Sequence, residues 1–427
     1  MIHKRTSQTT QSYEPILSLV NLKSKLPSRL KQFAQIDGKL PKLLLLPFAI
    51  LTIALFVLIK PFVTIQIFKV WERFGHLVAN TDVMRLKTLD HNQRHKKKII
   101  TIFYNPEKHP SNRYMNYFWR QNLPSVRGHW GWLLNDISAH FKSLNSSNLS
   151  TDIDFTGVYL KNFPLPKFTN EDHIKGRDFI NRFSPSRKFV CLIVRDAAYL
   201  SARSDKDWSY HNFRDSKIDS FLSAAETLAE MGYTVFRMGA VVDKPLNSSH
   251  PRIIDYATNG MRTEFLDIYL GAHCTFCVSN SNGFDAVPRI FKRPLLFADE
   301  SIFFEYSLLA LNTLHSPKQM RDSATKKQLS LAEIINRGVA YPHRSSTFED
   351  AGVEIQDLSS EELVEAVTEM AQRVEGTFVE TPEQKEMQAK LKHILSTHPK
   401  LQPTPNHYPI RAEFASCFLS RYPNFLD

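Results

Sequence analysis

The apolar and polar positions of this chain change character abruptly near residue 43. Residues 43–59 (LLLLPFAILTIALFVLI) contain no charged residue and are bounded by Lys42 and Lys60, and a second apolar stretch, PFVTIQIF, follows at once. A helix over the first run would be about 25 Å long, slightly shorter than the roughly 30 Å hydrocarbon core of a bilayer. The pattern therefore predicts a membrane-associated segment over residues 43–70, preceded by a basic tail over residues 1–42.

Two prolines and the flanking charges bear on how this segment meets a membrane. Pro47 lies inside the run and Pro61 follows it, and basic residues stand on both sides. Prolines can kink a helix, so a re-entrant or interfacial hairpin with both ends in the cytoplasm is favoured over a single spanning helix. We therefore expect a location at the cytoplasmic face of an inner membrane. A buried core helix is the alternative.

From Trp71 onward, β-like apolar runs alternate with amphipathic stretches, which is the pattern of βα units. In residues 71–180 we predict strands over 97–104 and 152–160 and a helix over 112–121. Pro164, Pro166 and Pro185 punctuate the chain around a predicted domain boundary near residue 180.

The second domain, residues 181–427, shows the clearer pattern. Its predicted strands are KFVCLIVRD, YTVFRMG, CTFCVSN and RPLLFAD, separated by the helices SKIDSFLSAAETLAEMG, TEFLDIYLGAH and FDAVPRIF. This is the order of a doubly wound α/β sheet. Ser216 stands where the N-cap of the first of these helices is expected.

Composition narrows the classes of function. The formal net charge of +11 suits anionic lipid, phosphorylated substrates or nucleic acid, but no helix-turn-helix, zinc-finger or RNA-binding motif is present, so nucleic acid is not an expected partner. Four cysteines are too few for a disulfide framework. Cys274 and Cys277 have half the spacing of a zinc site but lie in an apolar run, so we interpret them as core residues and expect no metal.

Candidate chemistry follows the predicted strands, because ligands of open parallel sheets bind beyond the carboxyl ends of the strands. Two such strands end in arginines, which can converge on a phosphate, and a third runs into a polar loop at the start of a helix, which favours anions. The candidate donor-binding residues are Arg195, Arg237, Gly239, Ser279, Ser281, Asn282 and Gly283.

The loop after the first of these strands, YHNFRDS (210–216), carries further candidates at the same edge. His211 and Asp215 can each take a proton from a hydroxyl group if the pKa is suitable, and Asp196 follows Arg195 directly. Each of these residues has an ordinary interpretation as a solvated loop or strand-end side chain.

These motifs, together with RD at 195–196, RMG at 237–239, IDY at 254–256 and the serine-rich loop running into GFDAVPRIF, resemble a family of bacterial glycosyltransferases associated with surface-polysaccharide synthesis. The similarity extends back to RFGHLVANTDVM (73–84), which is similar to the Gly-His loop of the acceptor domain in two-domain GT-B enzymes. It covers roughly residues 70–427.

The resemblance implies an α/β fold with two Rossmann-like doubly wound domains, GT-B-like, and the apolar run places an N-terminal membrane-associated helix before them. It implies transfer of a sugar from a nucleotide-sugar donor to a glycan or lipid-linked acceptor, with no metal and no cofactor. Arg195, Arg214, Arg237 and the loop 279–283 are expected around the donor diphosphate, and His76 is expected to face the cleft. A Ser-Gly pair is expected where Asn282-Gly283 stands.

Two other kinds of function remain open. One is another doubly wound enzyme of nucleotide sugars, similar to an epimerase or a pyruvyl transferase. The other is a membrane-bound scaffold that keeps the sugar-nucleotide fold without catalysis.

Overall fold

The fold of this chain is built around two parallel β-sheets. The computed structural model describes residues 39–106, 111–141, 144, 157–203, 207–301, 312–341, 344–401 and 410–427. Within these ranges the protein is a mixed α/β structure, as predicted, with a three-stranded sheet in the first half (residues 39–169) and a seven-stranded sheet in the second (170–427). The predicted strand over 152–160 lies mostly outside the described residues, and its described end, Val158–Leu160, forms a short 3-10 turn.

The first half contributes a small sheet in the order β1-β2-β3, with all pairs parallel. The predicted strand and helix near residues 100 and 115 are confirmed as β2 and α3. Its elements are α1 (Lys39–Leu58), β1 (Val63–Lys69), α2 (Phe74–Arg94), β2 (Lys98–Asn105), α3 (Arg113–Asn122), β3 (Ser125–Arg127) and α4 (Gly128–Ser138).

The apolar run predicted to meet a membrane divides into a helix and a strand. Val63–Lys69, which the sequence pattern assigned to the membrane-associated segment, is strand β1 and pairs along its whole length with β2. Helix α1 packs through Ala49 and Ile53 against Leu133 and Leu134 of α4. Among the described residues, no helix is both long and apolar enough to cross a bilayer.

The second half contains a seven-stranded sheet in the order β12-β9-β8-β7-β4-β5-β6, with all pairs parallel. Its strands are β4 (Phe189–Ile193), β5 (Thr234–Arg237), β6 (Ile253–Ile254), β7 (Phe276–Ser279), β8 (Leu295–Glu300), β9 (Thr313–Pro317) and β12 (Glu413–Phe414). A separate antiparallel pair joins β10 (Gln319–Asp322) to β11 (Val353–Gln356).

Helices connect these strands on both sides of the larger sheet. They are α5 (Asn170–Phe183), α6 (Ala198–Arg203), α7 (Leu222–Glu230), α8 (Glu264–His273), α9 (Ala286–Ile290), α10 (Leu331–Asn336), α11 (Ser346–Asp350), α12 (Ser360–Glu375), α13 (Pro382–Thr397) and α14 (Ser416–Arg421).

The strand order of the larger sheet has one reversal. The chain builds outward from β4 to β5 and β6, returns to the other side of β4 as β7, and then continues outward through β8 and β9. This is the Rossmann order, in which ligands bind in the crevice where the order reverses. The doubly wound order predicted for the second half is therefore present, and its switch point lies between β4 and β7.

The two halves share a hydrophobic core. Buried side chains of the first half, among them Phe103, Phe118 and Trp119, form one cluster with Ile268 of α8 and Val287 of α9. The predicted domain boundary near residue 180 falls inside α5, which packs on α8: a Cβ placed on Gly176 would lie 2.1 Å from the Tyr269 ring. The glycine permits this close approach, so α5 belongs with the second half.

We predict that His273, at the junction of the two halves, limits stability in acid. Its ring stacks on Tyr269 at 4.0 Å and lies 5.4 Å from Phe168, and burial lowers its pKa from 6.5 to about 4. Because the unfolded chain binds this proton more readily, the stabilisation present above pH 6.5 is lost as the pH falls toward 4. In urea unfolding, the free energy lost between about pH 7 and about pH 5 should be roughly 2 kcal/mol smaller in His273→Gln than in the wild type. An equal loss in both proteins would contradict the assignment.

Candidate site at the switch point of the larger sheet

A single buried side chain, Asn280, joins the ends of β4 and β7 at the switch point. Its Oδ1 accepts a hydrogen bond from the backbone N–H of Arg195 at 2.8 Å. Its Nδ2 donates to the carbonyl of Arg214 at 3.1 Å and to Ser216 Oγ at 3.0 Å. Asn280 is completely buried. The carboxamide of Asn280 therefore fills the space between the ends of the two strands. Its hydrogen bonds to Arg214 and Ser216 hold the loop 208–216 against these strand ends.

The partner of Asn280, Ser216, belongs to a buried charged network. Lys318 Nζ donates to Ser216 Oγ at 3.2 Å and to Asp299 Oδ2 at 2.7 Å, and it also contacts Asp357. Ser216 in turn donates to Asp299. Burial raises the pKa of Asp299, and the charge of Lys318 partly offsets that effect. Ser216 therefore belongs to this hydrogen-bonded network. It is not a helix N-cap, as the sequence predicted, because the following 3-10 turn begins after Lys217.

Two predicted arginines meet above Asn280. Arg195 Nε lies 2.8 Å from Asp215 Oδ1, and Arg214 donates to the carbonyl of Ser281 at 2.8 Å. Burial lowers the pKa of Arg195 and raises that of Asp215. Among the described residues, Arg214 Nε is buried without an acceptor, and so is the indole Nε1 of Trp208. Two buried donors at this edge therefore have no acceptor within the described part of the chain.

Two depressions flank the end of β4. The larger is an open cleft of about 270 Å³, with Arg195 and Trp208 in its wall, and the smaller holds about 90 Å³. The remaining wall of the larger is formed by Ala197, Leu200, Ser201, Asp207, Ser209 and Asn212. The smaller is lined by Val194, Asp196, Ser216, Lys217, Ile218, Asp219, Asp243 and Lys244.

The predicted anion loop, residues 279–283, lies at this edge but bonds largely to itself. Asp285 accepts hydrogen bonds from Ser279 Oγ at 3.2 Å and from the Asn282 N–H at 2.8 Å, and Ser279 Oγ accepts from the Ser281 N–H at 3.2 Å. Asn282 Oδ1 binds the N–H of Phe284 at 2.9 Å. These backbone donors are therefore occupied, and the carboxylate of Asp285 adds a negative charge beside them.

The first half reaches the same edge through the start of α2. A Cβ on Gly75 would lie 3.1 Å from the Cα of Gly283, so these backbones touch. The Arg73 guanidinium lies 5.1 Å from the centre of the Trp208 ring, and His76 stands in the first turn of α2, 5.5 Å from the ring of Trp71. Gly75, next to His76, is therefore in direct contact with the loop 279–283.

Two predicted donor-binding residues, Arg237 and Gly239, have structural roles within the protein. Arg237 is completely buried, and its guanidinium binds Asp255 at 3.3 Å and the carbonyl of Lys244 at 2.9 Å, so it has no surface for a donor. Gly239 serves a tight backbone turn, since a Cβ there would lie 2.3 Å from Val242 Cγ1.

Asp196 and His211 also have partners within the fold. The two carboxylate oxygens of Asp196 accept backbone N–H groups of Ala198 and Asp243, each at 2.9 Å. His211 stacks on Tyr210 at 4.1 Å and lies parallel to Trp208. His211 nevertheless stays half-buried at the edge, beside Arg214 and Asp215 in the same loop.

Sequence reasoning missed Trp208, Asn280 and Lys318 as site residues. Asn280 lay inside the predicted loop, but the sequence gives no sign that its side chain turns inward. Lys318 follows β9, which was not predicted. Within the described ranges, no group of three or more His, Cys, Asp and Glu side chains is arranged to hold a metal ion. Cys274 and Cys277 are buried free thiols in the core, as predicted.

Comparison with known proteins gives only distant structural likenesses. No family model and no curated protein matches the sequence. The Escherichia coli ADP-heptose lps heptosyltransferase II has a TM-score of 0.38 at 12% identity, covering 73% of this chain and 99% of its own. A glycosyl transferase family 9 protein of Veillonella parvula has a TM-score of 0.34 at 9% identity, covering 73% and 97%. E. coli heptosyltransferase WaaC with ADP has a TM-score of 0.27 at 11% identity, covering 59% and 89%. TM-scores this low do not establish a function.

We predict that Lys318 stabilises the site through its buried charge. In Lys318→Met, Asp299 keeps a buried carboxylate without its cation, so the free energy of unfolding should fall by about 3 kcal/mol or more near pH 8. The loss should shrink near about pH 5, because protonation removes the buried charge of Asp299.

The matched control is Lys326→Met, which breaks an ion pair with Glu354 in which both side chains are at least half exposed. Exposed pairs of this kind contribute about 0–1 kcal/mol, so this variant should unfold almost as the wild type does. Equal effects of the two substitutions in urea unfolding would show that the network around Lys318 does not hold the edge together.

Proposed function

We propose that this chain is a glycosyltransferase that transfers a sugar from a nucleotide-sugar donor to a glycan or lipid-linked acceptor in surface-polysaccharide synthesis, without a metal ion. The observation that carries the proposal is the pair of buried, unpartnered donors, Arg214 Nε and Trp208 Nε1, beside Arg195 at the switch point of a doubly wound sheet. Such an edge is where this topology binds nucleotides.

The arginines suit the leaving group of a sugar transfer. Guanidinium groups bind phosphate oxygens through charge-assisted hydrogen bonds, and Arg214 has a spare donor for one. As the glycosidic bond of the donor breaks, its electron pair passes to the diphosphate, and positive charge placed there beforehand stabilises the transition state. Arg195 supplies that charge from the end of β4, and Arg214 supplies it from the loop 208–216.

The acceptor hydroxyl must lose a proton as its oxygen attacks the anomeric carbon. Asp215 has a pKa raised by burial, which is the direction that makes a carboxylate a better base, although its ion pair with Arg195 opposes that shift. His211 is the second candidate in the loop. His76 belongs to the first half, beside Gly75, which contacts Gly283, and it is the candidate for contact with the acceptor.

A second candidate function is favoured by the loop 279–283, whose amides are occupied by Asp285, Ser279 and Asn282. A protein that retains the sugar-nucleotide fold as a scaffold does not need these amides for a phosphate. Binding of a nucleotide without release of the diphosphate, across a panel of glycan and lipid acceptors, would favour the scaffold. Isomerised donor in place of transferred sugar would indicate an epimerase-like enzyme.

The test is thermal stabilisation by nucleoside diphosphates and nucleotide sugars, since a ligand that binds the folded state raises its stability. We expect Arg214→Ala to weaken the best ligand by about tenfold to a hundredfold, the range for a lost charge-assisted hydrogen bond. Trp208→Phe keeps an aromatic ring but removes the indole N–H donor, and we expect it to weaken binding of the ligand by about tenfold.

The control is Arg252→Ala, which removes an exposed arginine at the start of β6, at the opposite edge of the same sheet. It should leave binding unchanged. If the two site variants bind the ligand as tightly as Arg252→Ala does, the donor site lies elsewhere.

A further inference from the structure

The outward face of α1 is a continuous apolar stripe. Leu44, Phe48, Leu51, Leu55, Leu58 and Phe62 follow one another at alternating spacings of four and three residues, which places them on one side of the helix and of the turn after it. Each is more than half exposed, from 52% for Leu55 to 83% for Phe62. From Leu44 to Leu58 this stripe is about 21 Å long.

The opposite face of α1 is held by protein. Ala49 and Ile53 are buried in a cluster with Leu133 and Leu134 of α4. The helix is therefore fixed on the surface of the first half with the stripe pointing outward. A contiguous apolar surface of this extent marks an interaction site.

Cations surround the stripe. Residues 39–71 contain no Asp or Glu. Lys42, at one end, lies 3.9 Å from the centre of the Trp132 ring of α4, which is itself partly exposed. Lys60 lies in the turn at the other end, between Leu58 and Phe62.

A second group of cations lies beside Phe62. In the parallel pair of β1 and β2, Lys98 is the partner of Val63. The exposed basic run 94–98 (RHKKK) therefore stands next to the turn that carries Phe62. The sequence before α1 is also basic, with six Lys and Arg residues against Glu14 and Asp37 in residues 1–38.

We propose that the stripe of α1, with Lys60 and the basic run 94–98, is a docking surface for an anionic lipid bilayer, on which the helix lies in the plane of the interface. The apolar side chains enter the acyl region, and the lysines contact the headgroups. The charge of this surface favours a bilayer as its partner. An apolar face bordered by cations fits anionic lipid, since each lysine near the membrane surface adds to the electrostatic attraction. The proposal does not depend on the proposed transferase activity.

The experiment is cosedimentation of the purified full-length chain with vesicles of neutral phosphatidylcholine, with and without anionic phosphatidylglycerol. We expect binding to the anionic vesicles that weakens with added salt. The double variant Leu51→Asp/Leu55→Asp should bind about tenfold or more weakly to both kinds of vesicle, because charged side chains no longer enter the acyl region. Lys96→Glu/Lys97→Glu should lose the preference for the anionic vesicles.

Two matched controls use positions far from α1. Val379→Asp places a charge on a valine that is 85% exposed, and Lys385→Glu/Lys390→Glu reverses two exposed charges on α13. Both should bind vesicles as the wild type does. If the α1 variants also bind as the wild type does, the docking surface is wrong. If the wild type forms dimers without lipid and the leucine variant is monomeric with unchanged vesicle binding, the stripe is an interface between two copies and the proposal is overturned.

The failure of this proposal and of the transferase proposal can be told apart. Thermal stabilisation by nucleotides in the leucine variant reports the state of the donor site without any membrane. A variant that keeps nucleotide binding and loses vesicles supports the docking surface, whatever reaction the edge of the larger sheet performs.

Discussion

The edge of the larger sheet depends on the buried carboxamide of Asn280. Its one acceptor and two donors are matched by the Arg195 amide, the Arg214 carbonyl and Ser216 Oγ. A buried polar group left without its partner costs about 1–3 kcal/mol, so few other side chains are tolerated between β4 and β7. Asn280 fills the bottom of the crevice, and the nearby donors Arg214 Nε and Trp208 Nε1 have no acceptor among the described residues.

A charged residue on a distant segment supports this arrangement. Lys318, after β9, reaches Ser216 and Asp299 and so connects the ends of β8 and β9 to the loop 208–216. Such a network is strong only when every member is satisfied, since the low local dielectric that strengthens the ion pair also penalises an unpaired charge. The position of both arginines at the edge is thus set by electrostatics within the sheet.

The sequence predicted those features of the fold that produce a recognisable pattern within a short stretch of residues. Strands β4, β5, β7 and β8 were found because parallel strands buried on both faces appear as continuous apolar runs. The same property misled the interpretation of β1, whose apolar residues read as an extension of the membrane segment. Arg237 ends a strand as the pattern required, but its partner Asp255 stands eighteen residues later, and only the fold shows that the pair is buried. Trp208 lies just before the motif YHNFRDS (210–216), and the sequence pattern did not mark it as a site residue.

The shared core of the two halves limits how far the halves can move apart. Phe118 and Trp119 pack with Ile268 and Val287 in one cluster. Exposing one such side chain to water costs about 1.5–3 kcal/mol of free energy. Wide separation of the halves would expose many of them at once, and it would part Gly75 from Gly283. The shared core therefore fixes the contact between Gly75 and Gly283, and it holds the first turn of α2 against the loop 279–283 at the edge of the larger sheet.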